Sequence, residues 1–356
     1  MDRRTFFGLA GGGAALGLPP LRLLAQDPPA APFNEMTGEQ TEAIRKGLEW
    51  LARNQGPRGA MGQSCQVAFT AIAGLAFLAG GNTPTRGKYA SNVKKALQFI
   101  VKCCRKDGYI NEAGGRGMGG SGMHGHGYAL LFLAELYGMC GDINDEPEFD
   151  ESLKEKINRA VKLTAFAQDS NGGWTYDPNP SGHEGSVTIT QVQALRAVRN
   201  AGLIVPKQTV EKGITYIKKS TSSDGSIMYS LGQGGGGSYA LTAAGACVYA
   251  YFGLYDAPEA RKCMDCLYSF ITNKRSGRNN HDFYSAFYAG QACFFMKSQN
   301  RSFWTDGYDK VRRDLIQTQD KKSGGWLSDS YNGAFGTGCA TLVLQIPYRY
   351  LPIFQD

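Results

Sequence analysis

Four histidines occur in 356 residues, and each stands where a nearly all-apolar run begins. His124 and His126 open one run, His183 with Glu184 precedes another, and His281 with Asp282 opens a third. Neutral imidazoles beside carboxylates support two chemistries: holding a metal, or acting as general acid and base near neutral pH. The candidate catalytic set is His126, His281 and Asp282, with His183 and Glu184 assisting. Taken singly, each histidine also has a structural reading. His124-Gly125-His126 can cap and turn a glycine-rich loop, and His183 can be a solvated loop residue. The sequence leaves both the metal and the cofactor unknown.

These residues are positioned by a repeat. Amphipathic helical runs fall at 38–55, 88–105, 149–168, 207–220, 257–273 and 303–319, each with one apolar stripe such as Ile44, Leu48 and Leu51. Each is followed by a run of helix formers that is apolar on every face, at 65–80, 124–139, 187–202, 238–254, 282–297 and 335–350. A helix apolar all round must be buried all round. Six such pairs predict an all-α fold of six helical hairpins, an (α/α)6 toroid with inner and outer helix rings; an open solenoid is the alternative. In a closed ring all inner-helix N-termini share one end, so the histidines gather at a single mouth. Helix N-termini also offer unpaired N–H groups and a positive dipole end, which favour an anionic ligand there. Below that mouth Phe69, Tyr128, Phe132, Tyr239, Phe283, Tyr284, Phe287 and Tyr288 predict an aromatic wall for an apolar chain, or else ordinary core packing.

Composition fits this plan. Glycine supplies 47 of 356 residues, well above the roughly 7% of an average protein, without a collagen period. The clusters at Gly114–Gly127 and Gly232–Gly237 precede inner runs, where glycine lets backbone approach a ligand or lets a loop move. Gln168-Asp169-Ser170-Asn171-Gly172-Gly173-Trp174 and Gln319 through Trp326 link outer to inner runs; the glycine ends a helix and a large side chain plugs the hairpin. The net charge of +7 includes +2 from Arg3, Arg4 and Arg22 against Asp2, and no cation cluster marks a nucleic-acid face. Nine cysteines are an odd number. Cys65 and Cys339, heading the first and last inner runs, are candidates for a disulfide across the ring closure or for thiol ligands, whereas Cys263-Met264-Asp265-Cys266 reads as a structural pair.

Residues 1–25, with Arg3-Arg4-Thr5-Phe6-Phe7 before a short apolar stretch, resemble a twin-arginine export signal, 26–36 a linker, and 37–356 a single domain. This organisation implies an exported, periplasmic or extracellular protein with no transmembrane segment in the mature chain.

The Gln-x3-Gly-x-Trp spacing at Gln168–Trp174, its one-residue-longer copy ending at Trp326, and the six helix pairs resemble the α/α toroid of squalene–hopene cyclases and protein prenyltransferase β subunits. The resemblance covers about residues 37 to 354 and implies a central cavity for an isoprenoid. The chain departs from the family's chemistry. No Asp-x-Asp-Asp proton donor is present, and Asp142-Ile143-Asn144-Asp145-Glu146 has the wrong spacing. Nor is there an Asp-Asp-x-x-Asp. In His281-Asp282-Phe283-Tyr284-Ser285 a serine takes the place of the prenyltransferases' zinc-binding histidine, and no Asp-x-x-x-x-Cys-like partner is visible around Ser238-Tyr239-Ala240. Three functions stay open: binding and modification of an apolar isoprenoid-like small molecule, carbohydrate lyase or hydrolase chemistry, and a non-catalytic scaffold.

Overall fold

In a computed structural model the described residues are 35–112, 122–143, 150–232, 237–273, 282–327 and 333–355. The export-type leader, most of the linker, His281, residues 113–121 of the first glycine cluster and 233–236 of the second lie outside them. Among these residues there are twelve α-helices and no β-strand. The outer helices are α1 (Gly38–Asn54), α3 (Ala90–Lys102), α5 (Leu153–Phe166), α7 (Lys207–Ser220), α9 (Pro258–Asn273) and α11 (Asp309–Thr318). The inner helices are α2 (Gln66–Ala79), α4 (Gly122–Cys140), α6 (Gly185–Asn200), α8 (Tyr239–Tyr251), α10 (Asp282–Met296) and α12 (Ala334–Leu344).

Packing follows the hydrophobic patterns. Every residue of α2 from Val67 to Ala79 is buried, whereas α3 buries only Val93, Ala96, Leu97, Ile100 and Val101 on one stripe. Each inner helix packs on the next, and α12 packs on α2. The six inner helices therefore close a ring, and the open solenoid is excluded. The closure joins residues distant in sequence: Gln40 Nε2 donates to Leu344 O (2.6 Å), Gln319 Nε2 to Ala43 O (2.9 Å) and Gln345 Nε2 to Ala76 O (2.9 Å). The last inner helix ends at Leu344, short of 350, because Pro347 lacks the N–H a continuing helix needs; a 3₁₀ turn, Ile346–Tyr348, replaces it.

The hairpin turns also join neighbouring repeats. Gln168 Nε2 donates to Gly172 O and to Thr209 O in the first turn of α7, both at 2.9 Å. Gln55 and Gln319 bridge their own turns to α3 and α1 in the same way. The glycine is fixed by more than helix termination. Gly172 has φ +93°, and a Cβ there would lie 2.4 Å from Lys212 O of α7; Gly59, Gly108 and Gly225 meet a carbonyl of the following outer helix in the same way. Trp174 and Trp326 are fully buried, each donating its indole N–H to the preceding outer helix, at Thr164 O and Leu315 O.

Candidate functional site

A ladder of hydrogen bonds fixes the rotation of five of the six inner helices. In four repeats the backbone N–H that follows the turn is accepted by a threonine hydroxyl near the start of the next inner helix. Met61 N donates to Thr70 Oγ1 (2.8 Å), Trp174 N to Thr188 (3.0 Å), Ile227 N to Thr242 (3.1 Å) and Trp326 N to Thr337 (2.9 Å). In the second repeat the acceptor is His126, whose Nδ1 takes Ile110 N–H at 3.2 Å. Its Nε2 lies 2.9 Å from Thr164 Oγ1 of α5, and that hydroxyl already donates to Ala160 O. The imidazole is therefore the Nε2–H tautomer, and both nitrogens are spent inside the wall. Burial pushes its pKa down to about 4. His126 thus stands in the wall, away from the mouth.

Residues two positions from this ladder point the other way, because two residues turn an α-helix by about 200°. His124 lies on that inner face, one turn above Tyr128, whose ring meets Phe287 of α10 and Phe335 of α12 across the ring. Ser186 holds the same register in α6. His124 Nε2 lies 3.0 Å from Ser186 Oγ, and Ser186 Oγ lies 2.8 Å from both oxygens of Glu184. Glu184 is the N-cap of α6 and accepts the Ser186 and Val187 N–H groups. Its burial raises the carboxyl pKa despite those bonds. Burial lowers the His124 pKa to about 4, so the imidazole is neutral at neutral pH. Tyr176 packs against His124 with ring centroids 5.5 Å apart, and its hydroxyl lies 3.2 Å from that of Tyr229. These two tyrosines are 44% and 47% exposed, so they form a platform open to solvent beside the His124–Ser186–Glu184 chain.

The other candidates lie apart from this group. His183 points toward the outer ring, its Nδ1 3.1 Å from Tyr216 Oη of α7 and 3.2 Å from Ser230 Oγ. Asp282 heads α10, on the far side of the ring from α4, and His281 lies outside the described residues. Of the five candidates, Glu184 lies with His124, while His126, His183 and Asp282 are placed apart from that group.

The aromatic wall is also rearranged. Phe132 is fully buried and wedged on Gly74 of α2, so it lies between inner helices. Tyr239 packs on Phe270 of outer helix α9. Phe69 meets Phe335, Tyr284 stacks near Tyr288, and Phe283 is buried at the head of α10. Along the axis Tyr128 meets Phe287 (centroids 6.4 Å), while Gln193 of α6 donates to Gln291 of α10 (2.9 Å) and to Tyr251 of α8 (2.9 Å). Below the first turn, side chains of α4 and α10 and of α6 and α10 therefore meet inside the ring.

At three inner helices a neighbouring loop takes one of the first N–H groups: Val67 N donates to Glu112 Oε1 (2.7 Å), Met123 N to Tyr176 O (2.9 Å) and Gly185 N to Tyr229 O (2.7 Å). Metal ligation finds no support among the described residues, where no three His, Cys, Asp or Glu side chains converge. Ser285, buried in α10, offers a hydroxyl where zinc would need an imidazole. All nine cysteines are unbridged; Cys65 is the N-cap of α2 and Cys339 is buried well inside α12.

Six closed hairpins with their N-termini at one rim define the chain as an α/α toroid. Three solved structures share that fold. A cellobiose 2-epimerase from Bacillus thermoamylovorans B4167 aligns at 11% identity and TM-score 0.62, covering 88% of this chain and 100% of its own. A D-mannose isomerase aligns at 11% identity and TM-score 0.60, covering 88% and 99%. A type II terpene cyclase, MstE from Scytonema, aligns at 12% identity and TM-score 0.59, covering 88% and 100%. No protein-family model and no curated protein matches the sequence.

Proposed function

We propose that the protein is an exported acid–base enzyme that binds a polyhydroxylated, sugar-like molecule at the rim of the toroid. The observation that carries this reading is the His124–Ser186–Glu184 chain beside the exposed Tyr176–Tyr229 platform. Aromatic faces pack on the apolar faces of sugar rings, and a convergent imidazole, hydroxyl and carboxylate supply the directed hydrogen bonds that a polyol needs. The sugar isomerase and epimerase among the structural neighbours support this reading, and Arg3-Arg4 supports export. No helix among the described residues is long and apolar enough to cross a membrane.

A second reading, an apolar isoprenoid-like ligand, is favoured by the half-buried Tyr284, Ala286, Ala240 and Phe335 on the same rim and by the terpene cyclase neighbour. Thermal shift of the purified protein against sugars and oligosaccharides in one arm, and prenyl alcohols and squalene in the other, separates the two. A sugar held at 100 times its Kd should stabilise the fold by about 2.7 kcal/mol. Tyr176→Ala with Tyr229→Ala should abolish that shift while leaving the unliganded melting temperature nearly unchanged. A shift from the apolar arm alone would reverse the order of the two readings.

A further inference from the structure

Ser186 sits between an imidazole and a carboxylate, and that arrangement suggests more than binding. Its Oγ is 3.0 Å from His124 Nε2 and 2.8 Å from the Glu184 carboxylate, at the accessible first turn of α6. Glu184 is itself fixed by Val187 N–H, so the serine is held in one place before any ligand arrives. The hydroxyl of Tyr176, whose ring packs on His124, lies 3.2 Å from Tyr229 Oη. Two phenol hydrogens serve one tyrosine–tyrosine bond, which leaves a donor to turn toward a developing oxyanion.

We propose that Ser186 is a nucleophile for acyl transfer and that the rim hydrolyses a carboxylic ester carried on its ligand; the sugar-like nature of that ligand rests on the reading above. The Ser186 hydroxyl hydrogen turns from Glu184 to His124 Nε2, with the imidazole in its Nδ1–H tautomer. Oγ attacks the ester carbonyl and its proton passes to Nε2. Collapse of the tetrahedral adduct breaks the bond to the alcohol oxygen, which leaves with the proton from Nε2. Water then attacks the acyl-serine, giving its proton to Nε2, and the departing Oγ takes it back. The net change is ester plus water to acid plus alcohol. Glu184 acts as a positioning residue, holding Oγ and capping the helix.

The test uses the full chain with p-nitrophenyl acetate, following nitrophenolate release and intact mass. An initial burst and a gain of about 42 Da mapped to Ser186 are expected. Ser186→Ala should lose the mass gain, and His124→Gln should slow acylation about 100-fold or more. The rate should be flat above pH 5, because the base is already deprotonated. Glu184→Gln, which keeps an N-cap oxygen, should retain acylation at reduced rate. Absence of acyl-enzyme in the parent, or equal labelling of Ser186→Ala with its melting temperature intact, would overturn the proposal. Sugar-induced thermal shifts read in parallel separate its failure from failure of the sugar reading.

Discussion

Replacing Gly172 by alanine is expected to cost about 4 kcal/mol or more and to lower the melting temperature sharply. Two effects add. A non-glycine residue held at φ +93° stores about 1–3 kcal/mol of backbone strain. A Cβ would also stand 2.4 Å from Lys212 O and 2.7 Å from Lys212 C, which are helix backbone and cannot swing aside. The turn must back away from α7, and the two Gln168 hydrogen bonds that join it to its own turn and to α7 go with it. Set against a typical stability of about 5–15 kcal/mol, that loss is a large share of the total. Gly202 supplies the control: its φ is +80° and no atom lies within 4 Å of the place a Cβ would take, so Gly202→Ala should cost only the strain, about 1–3 kcal/mol. Equal melting temperatures for the two variants would show that contact between repeats does not hold this glycine.

Acid should loosen the ring through His126. Its pKa is about 4 in the fold against 6.5 when free, so between those values the unfolded chain binds more protons than the native one. Stability therefore falls as pH drops from about 6.5 to about 4 and loses nothing further from this group below that. The contribution is about 3 kcal/mol at its largest, and His124, also lowered to about 4 by burial, acts in the same direction. His126→Thr restores the hydroxyl found at this place in four other repeats and still offers Ile110 N–H an acceptor. That variant should be less stable than the parent at pH 7, because it vacates volume beside Thr164, and the gap should narrow by pH 4.5. His126→Ala, which orphans a buried N–H, should cost a further 1–3 kcal/mol at pH 7. Urea unfolding at several pH values reads all three; an unchanged gap between the parent and His126→Thr would remove the imidazole as the cause.

The architecture was legible because each repeat states its pattern openly. Polar and apolar runs alternate at hairpin length, and Gln168 to Trp174 marks a turn that recurs at Gln319. The site was harder. Composition placed His124 and His126 together, and only helix rotation divides them into an inner and a wall residue. The sequence carries only a loose signal for that rotation: Thr70, Thr188, Thr242 and Thr337 follow their turns by 9, 14, 15 and 11 residues and His126 by 16, so no fixed spacing picks out the wall position. No such signal announced that Tyr128 and Phe287 would meet across the ring, since a run apolar on every face does not say which face meets which partner. The use of Tyr176 O and Tyr229 O to satisfy the next helix along is likewise a tertiary fact. Asp282 illustrates the same limit, standing opposite His124 although both head inner helices.

The bond from Gln40 to Leu344 spans 304 residues of sequence. During synthesis the first helix emerges long before the helix it must lean on, so α1 spends most of translation with its apolar stripe exposed. Final closure then brings together two ends of a long chain, an entropic barrier that grows only as the logarithm of the length but must be met at once. A linear stack can lose a terminal repeat and keep the rest; here removal of the last hairpin would also strip α1 of its backing.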